Sequence, residues 1–376
     1  MMQVDLRYVL SCIQRLSAFI YSLSKTAFML ELAKRRWFLL SLLTLITSGL
    51  VIGSQSSPES VESFKSLVPT RPLTAFVLLL MAFSLNSQQL KASFKAPTPV
   101  IWACLVNFGL LPIMGVFLMR IQMTPDFRIG LMIAATTPCT LAAASVWTRK
   151  AGGNDAVSLL TTLVTNTACF ALTPFWLNLG TSQSASLDAG YLSQRLVLVV
   201  LIPTLLGQAL RFPKKASDFA TRNKTPIGVV AQSCILALVF LSALGGGVQL
   251  QKADIGTQLT AVLFVWACCV AMHVVALTVA WYGGGFFGFD RRDRIAASFA
   301  GSQKTLPIGV YLATDPEIFG GASVAGGIAI PFAVFPMLMF HASQLFIDTI
   351  IADRFARKPD KSKTPPELNT PQTEGP

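Results

Sequence analysis

The sequence predicts an all-α membrane protein: ten transmembrane helices in two inverted five-helix repeats, with the fourth and ninth helices broken. Three observations predict it. Of 376 residues, 53% are hydrophobic and 13% charged, against roughly 25% charged in an ordinary soluble domain. Ten apolar stretches approach the roughly 20 residues a spanning helix needs. Lys and Arg fall almost entirely between those stretches and mostly on one side of them.

In chain order, residues 1–35 set Arg7, Arg15, Lys25, Lys34 and Arg35 among apolar residues and read as an interfacial amphipathic segment. No small-residue cleavage site follows 37–53, so they make a poor signal peptide. The spans fall at about 36–53, 72–90, 99–119, 127–148, 154–180, 192–210, 225–244, 257–282, 293–314 and 322–350. Together they form a domain over 36–356, with repeat one at 36–180 and repeat two at 192–356. Residues 357–376 are rich in Pro, Thr, Lys and Glu. They cannot bury enough apolar surface to fold and read as a disordered cytoplasmic tail.

Loop charge sets the orientation. With the N-terminus in the cytoplasm, 23 of the 30 Lys and Arg lie in cytoplasmic segments and six on the opposite side. That is the asymmetry of the positive-inside rule. It predicts a multi-pass protein of the inner or plasma membrane with both termini cytoplasmic. The net charge of +12 then reports topology and contact with anionic lipid, not nucleic-acid binding. The seven cysteines have no CxxC or Cys/His spacing, so neither a disulfide framework nor a zinc site is indicated.

An odd number of spans per half forces the halves into opposite orientations. Span 4, GLMIAATTPCTLAAASVWT, and span 9, AASFAGSQKTLPIGVYLAT, are both rich in small residues. Each carries a mid-span proline, Pro138 and Pro307, beside threonine, and each is followed by a Gly-Gly pair. Proline removes a helical hydrogen bond, and the freed backbone groups are tolerated in a membrane only where protein or a wet cavity surrounds them. Paired interruptions in matching spans point to a binding site. A lone proline of this kind is more often a simple kink.

The one basic residue left inside a span is Lys304. A charge at that depth costs about 2.5 kcal/mol or more and marks a pathway or a partner. At mid-span it is badly placed to snorkel. It can stand in for a cation, bind an anion or carry a proton. Ser302, Gln303 and Thr305 flank it; Thr136, Thr137 and Thr140 approach from the other broken helix, and Ser158, Thr162 and Asn166 from span 5. Singly, such hydroxyls often bond their own backbone; clustered near both prolines they read as lining a substrate or ion site. His273 and His341 read as hydrogen bonds between helices. No Asp or Glu is expected deep in a span, Asp155 and Asp348 being placed near cytoplasmic ends. A calcium path, which wants six to eight oxygens, is therefore disfavoured. No metal site, cofactor motif, P-loop or catalytic constellation is present, so no enzyme is expected. The expected partners are a small-molecule solute and the bilayer, with homo-oligomerisation left open.

Two segments carry a family resemblance. TTPCTLAAASVWTRKAGGNDAVSLLTTLVTN, and RDRIAASFAGSQKTLPIGVYLA with PFAVFPMLMFHASQLFIDTIIADRFA after it, resemble the bile acid:sodium symporter superfamily in its SBF-like branch, that of sodium/bile acid cotransporter 7. The resemblance runs over roughly 36–356. It implies a panel of spans 1, 2, 6 and 7, a core of spans 3–5 and 8–10, crossing broken helices 4 and 9, and substrate passing between panel and core. It implies sodium held by a Ser-Asn pair after the helix 4 proline, by helix 5 hydroxyls and by a Glu and a Gln of helix 9. Carried over, the hydroxyls fall on Ser158 and Thr162 and the Gln on Gln303. The Ser-Asn pair falls near Ala142–Ala144 and is lost, the Glu falls on Phe299, and Lys304 stands in place of an Asn. The expected function is secondary transport of a small solute, an organic anion, without the full sodium site. The alternative is a non-transporting regulator of calcium homeostasis, with which the branch is linked. Substrate, coupling ion and oligomeric state stay open.

Overall fold

The computed structural model describes residues 37–85, 97–141, 143–181, 187–251, 255–315, 318 and 331–357. The expected amphipathic segment 1–35, the tail beyond Arg357, the end of the second span and the start of the tenth lie outside the described residues. Those described form helices and connecting turns, with no strand among them.

The helices are α1 Trp37–Gln55, α2 Pro58–Ser66, α3 Thr70–Ser84, α4 Pro97–Met119, α5 Pro125–Thr136, α6 Ala143–Lys150 and α7 Asp155–Thr181. They continue as α8 Ala189–Ala209, α9 Lys214–Arg222, α10 Lys224–Leu250, α11 Ile255–Phe286, α12 Arg291–Ser302, α13 Leu306–Thr314 and α14 Val334–Ala356. Seven of them are long and apolar enough to cross a membrane, and eight crossings result if α2 and α3, bent by 48°, count as one. The starts follow capping chemistry. Ser57, Thr124, Asp188 and Asp290 each accept a backbone N–H of the first turn, which satisfies a donor the helix cannot.

Lipid is as apolar as leucine, so helices in it associate through close approach and polar contacts. α1 and α10 show the first. A Cβ on Gly53 would stand 2.1 Å from the Leu244 carbonyl oxygen, and one on Gly247 2.3 Å from that of Leu50. α3 packs on α8 and α10, extending this layer. A second group packs α4 on α12, α11 on α12 and α14, and α5 on α14. There Gly130 admits the Ala333 carbonyl, 2.3 Å from where a Cβ would be.

Spans 4 and 9 are interrupted. α5 stops at Thr136, and Thr137 is extended (φ −66°, ψ 151°), as the residue before a proline prefers. α12 stops at Ser302, and Gln303 (φ −80°, ψ 146°) and Thr305 (φ −88°, ψ 124°) are extended too. Pro307 lies in the first turn of α13, where its missing N–H costs nothing; the ninth helix is broken before this proline rather than at it. Two features were not anticipated. α4 and α8 each contain a π-helical turn, Val106–Leu110 and Val197–Leu201. Each is followed two residues later by proline, at 112 and 203.

Candidate functional site

The two interruptions meet: Thr305 N donates to the Pro138 carbonyl at 2.9 Å. Each break exposes backbone groups that need partners, and side-chain amides supply them. Asn166 of α7 donates to the carbonyls of Cys139 (2.7 Å) and Thr162 (2.8 Å). Gln344 of α14 clamps the extended Lys304 from both sides, accepting its N–H and donating to its carbonyl, both at 2.9 Å. Asn107 of α4 donates to Ala300, Gly301 and Gln303 carbonyls at 3.4, 3.2 and 2.9 Å, closing the end of α12.

Lys304 is fully buried. Its Nζ donates to Asn107 O (2.8 Å), Asn107 Oδ1 (3.2 Å) and Thr137 O (2.7 Å), and stands 5.3 Å from the Phe108 ring centre. An ammonium has three N–H donors and no acceptor, and here each faces an oxygen. Thr137 caps α5, so the cation also sits at the negative end of that helix. The π turn explains the free carbonyl of Asn107. In that register each N–H bonds five residues back, and Leu111 N donates to Val106 O. The next N–H would serve Asn107 O, but residue 112 is proline and has none.

The other expected site residues divide. The hydroxyls of Thr136, Thr137 and Ser302 bond their own helix, at 2.9 Å to Met132 O, 3.2 Å to Ala134 O and 2.8 Å to Ser298 O. Thr162 Oγ1 donates to Thr140 O at 3.4 Å, tying α7 to the first break. Among the described residues Ser158 Oγ, Asn166 Oδ1, Gln303 Oε1 and Thr305 Oγ1 are buried without a hydrogen-bond partner, four neutral oxygens with unused capacity. The remaining positions carried over for sodium are apolar: Ala144 packs with Ala103, Cys139 and Ala300, and Phe299 lies edge-on to Phe355, 6.5 Å between ring centres. Ala142 lies outside the described residues.

Asp348 departs from expectation. It is fully buried in α14, eight residues before the last residue of that helix. It accepts from Gln303 Nε2 at 2.5 Å and pairs with His273 Nε2 at 2.9 Å, while His273 Nδ1 meets Ser302 O at 3.3 Å. The signal was in the sequence: His341, Gln344 and Asp348 recur at i, i+3 and i+7, one face of a helix. His273 does link helices. His341 instead bonds within its own helix, its Nδ1 accepting from Gln344 Nε2 at 2.8 Å. With Nδ1 accepting, the ring proton sits on Nε2.

His341 lines a cavity of about 320 Å³ between the two packing groups. One wall is the start of α1, Met81 and Ser84 of α3, and Gly228 to Ile235 of α10; the other is Thr140, Trp147, Leu306, Pro307, His341 and Thr349. Of the expected site residues, Thr140 and Pro307 reach it and Lys304 does not. Among the described residues no charged side chain lines it.

The sequence pattern of the SBF-like CPA transporter family matches residues 36–357. Sodium/bile acid cotransporter 7-B of Xenopus laevis is 21% identical over 330 residues, 86% of this chain and 92% of its own. Protein PA2026 of Pseudomonas aeruginosa is 28% identical over 269 residues, 69% of this chain and 75% of its own. A chloroplast protein of Arabidopsis thaliana named a probable sodium/metabolite cotransporter, BASS4, is 22% identical over 302 residues, 78% of this chain and 68% of its own. With the match spanning nearly the whole helical region, this multi-pass membrane protein belongs to the SBF-like CPA transporter family.

Proposed function

We propose that the chain is a secondary transporter of a small organic anion, working by alternating access, in which the Lys304 ammonium takes the place of a bound sodium ion. The observation that carries this reading is the tripod of oxygens around Lys304 Nζ at the meeting of the two breaks. A tethered charge there needs no coupling ion to hold the broken helix ends together. To the seven long helices and the bent α2–α3 pair this reading adds the broken pairs α5/α6 and α12/α13 as one crossing each, for ten in all. They divide five and five into inverted repeats at 36–180 and 192–356, with both termini in the cytoplasm of a cell that holds the protein in its inner or plasma membrane.

The substrate site is the cavity, open toward the cytoplasmic ends of α1, α6 and α14. Thr140 and the Nε2–H of His341 supply its directional polar contacts, and Lys304, behind Thr137, supplies positive potential without entering it. Thr162, Asn166 and the backbone N–H of Thr305 hold the breaks in shape, Thr136, Thr137 and Ser302 turn their hydroxyls onto their own helices, and the unbonded oxygens of Ser158, Asn166, Gln303 and Thr305 are where a water or a weakly held ion would sit.

Thermal stability of the purified full-length protein tests the proposal. Sodium is expected to stabilise it no more than potassium at matched ionic strength. Some small organic anions are expected to raise the melting temperature in proportion to the logarithm of their concentration. His341→Ala should weaken that shift and Lys304→Ala abolish it. Sodium-specific stabilisation, with Lys304→Ala responding like the parent, would overturn the reading. Ala144 and Phe299, apolar where sodium ligands were implied, favour a second reading, a non-transporting regulator of calcium homeostasis. It gains if no solute shifts stability and none crosses reconstituted vesicles.

A further inference from the structure

The two packing groups are separated by the cavity at one end and tied together at the other. Arg71, in the first turn of α3, donates from Nε to Asp315 Oδ2 at 2.6 Å and from Nη2 to Asp315 Oδ1 at 2.7 Å. Asp315 caps α13, and its side chain is 1% exposed against 29% for Arg71. The pair is bidentate and charge-assisted, the stronger and more directional kind of contact. It spans 244 residues of sequence and joins one group, through α3, to the other, through α13.

Its place relative to the cavity gives it meaning. The same α3 reaches the cavity with Met81 and Ser84, and the same α13 with Leu306 and Pro307. At 1.5 Å per residue, Arg71 lies about 20 Å along α3 from Ser84, and Asp315 about 12 Å along α13 from Pro307. Both helices therefore enter the cavity at one end and meet in the ion pair at the other. We propose that Arg71 and Asp315 form a latch that closes the face opposite the cavity and opens once in each cycle. This rests on the alternating-access reading.

The chemistry suits a reversible closure. Attraction in a buried ion pair is largely offset by the cost of taking both charges out of water. When the groups part, water enters and rehydrates both ends, so the open state leaves neither charge stranded. Closing restores two parallel hydrogen bonds whose fork geometry fixes the register of α3 against α13.

The experiment measures accessibility of Ser84→Cys, at the cavity end of α3, to a membrane-impermeant maleimide applied from the cavity side. The full-length chain is reconstituted in vesicles and compared with the parent chain. Arg71→Ala and Asp315→Asn are expected to slow labelling about threefold or more by shifting the population toward the state closed on that side. The charge swap Arg71→Asp with Asp315→Arg is expected to restore the rate. Arg71→Lys, which keeps the charge without the fork, should fall between; it serves as the test if the other single variants fail to fold. Unchanged labelling in a folded Arg71→Lys or Arg71→Ala protein overturns the latch. The readout needs no substrate. A labelling shift in a protein that carries no solute therefore leaves a two-state closure by Arg71 and Asp315 standing and removes the transport cycle it was to serve.

Discussion

Lys304→Ala removes one cation and leaves the Asn107 and Thr137 carbonyls facing each other across an apolar space. Each buried group left without a partner costs about 1–3 kcal/mol, so the variant is expected to lose about 3 kcal/mol or more and several degrees of melting temperature. It should still insert and fold, because the Gln344 clamp acts on the Lys304 backbone and not on its side chain. Thermal melting with size-exclusion profiles checks both halves of the expectation. An undiminished melting temperature would mean that the tripod carries no load. Legibility at this scale was uneven. Lys304 stood out because no other Lys or Arg lies deep within a span. Asn107 did not, although a lone amide between Val106 and Phe108 with proline five residues on is the pattern that frees a carbonyl. The burial of Asp348 was missed because distance to the end of a helix was weighed ahead of the polar stripe it shares with His341 and Gln344.

The π turn makes its own prediction at the scale of the helix. Pro112→Ala provides the N–H that the π register lacks, and that N–H competes with Lys304 for Asn107 O. In the parent chain the substitution is expected to destabilise. In the Lys304→Ala background the same N–H satisfies a stranded carbonyl, and the substitution is expected to stabilise. Melting temperatures of the four proteins close the cycle. The two changes should couple by about 0.5–3 kcal/mol, as residues sharing a partner do. Strict additivity would show that Pro112 has no part in holding Lys304. The breaks themselves were readable from Pro138 and Pro307 with their neighbouring threonines. Their edges were not, since a proline both ends one helix and starts the next, and only the backbone angles show which it does.

For the whole molecule the expectation concerns topology. Reporter fusions after residues 55 and 185 should read outside, and fusions after 95, 218 and 360 inside. A fusion at 218 reading outside would defeat the five-plus-five arrangement. Position 218 lies on α9, between the two spans where an inverted second half must cross to the first half's starting side. The basic residues around it, Arg211, Lys214, Lys215 and Arg222, are those the positive-inside rule weighs most heavily.

The sequence by itself determined the class of molecule, the approximate spans, the two interruptions and the lysine deep in the ninth span. These follow from local demands. Lipid requires each segment to satisfy its own backbone, excludes charge, and tolerates a broken helix only where something covers it. Tertiary structure alone decided which groups meet: Lys304 with Asn107, His273 with Asp348, Arg71 with Asp315, and the cavity with His341. The reason is that one apolar helix face packs in lipid about as well as another. Partners are chosen by the few positions where a glycine lets backbones approach or a buried polar group must be met, and those choices join residues as many as 244 positions apart.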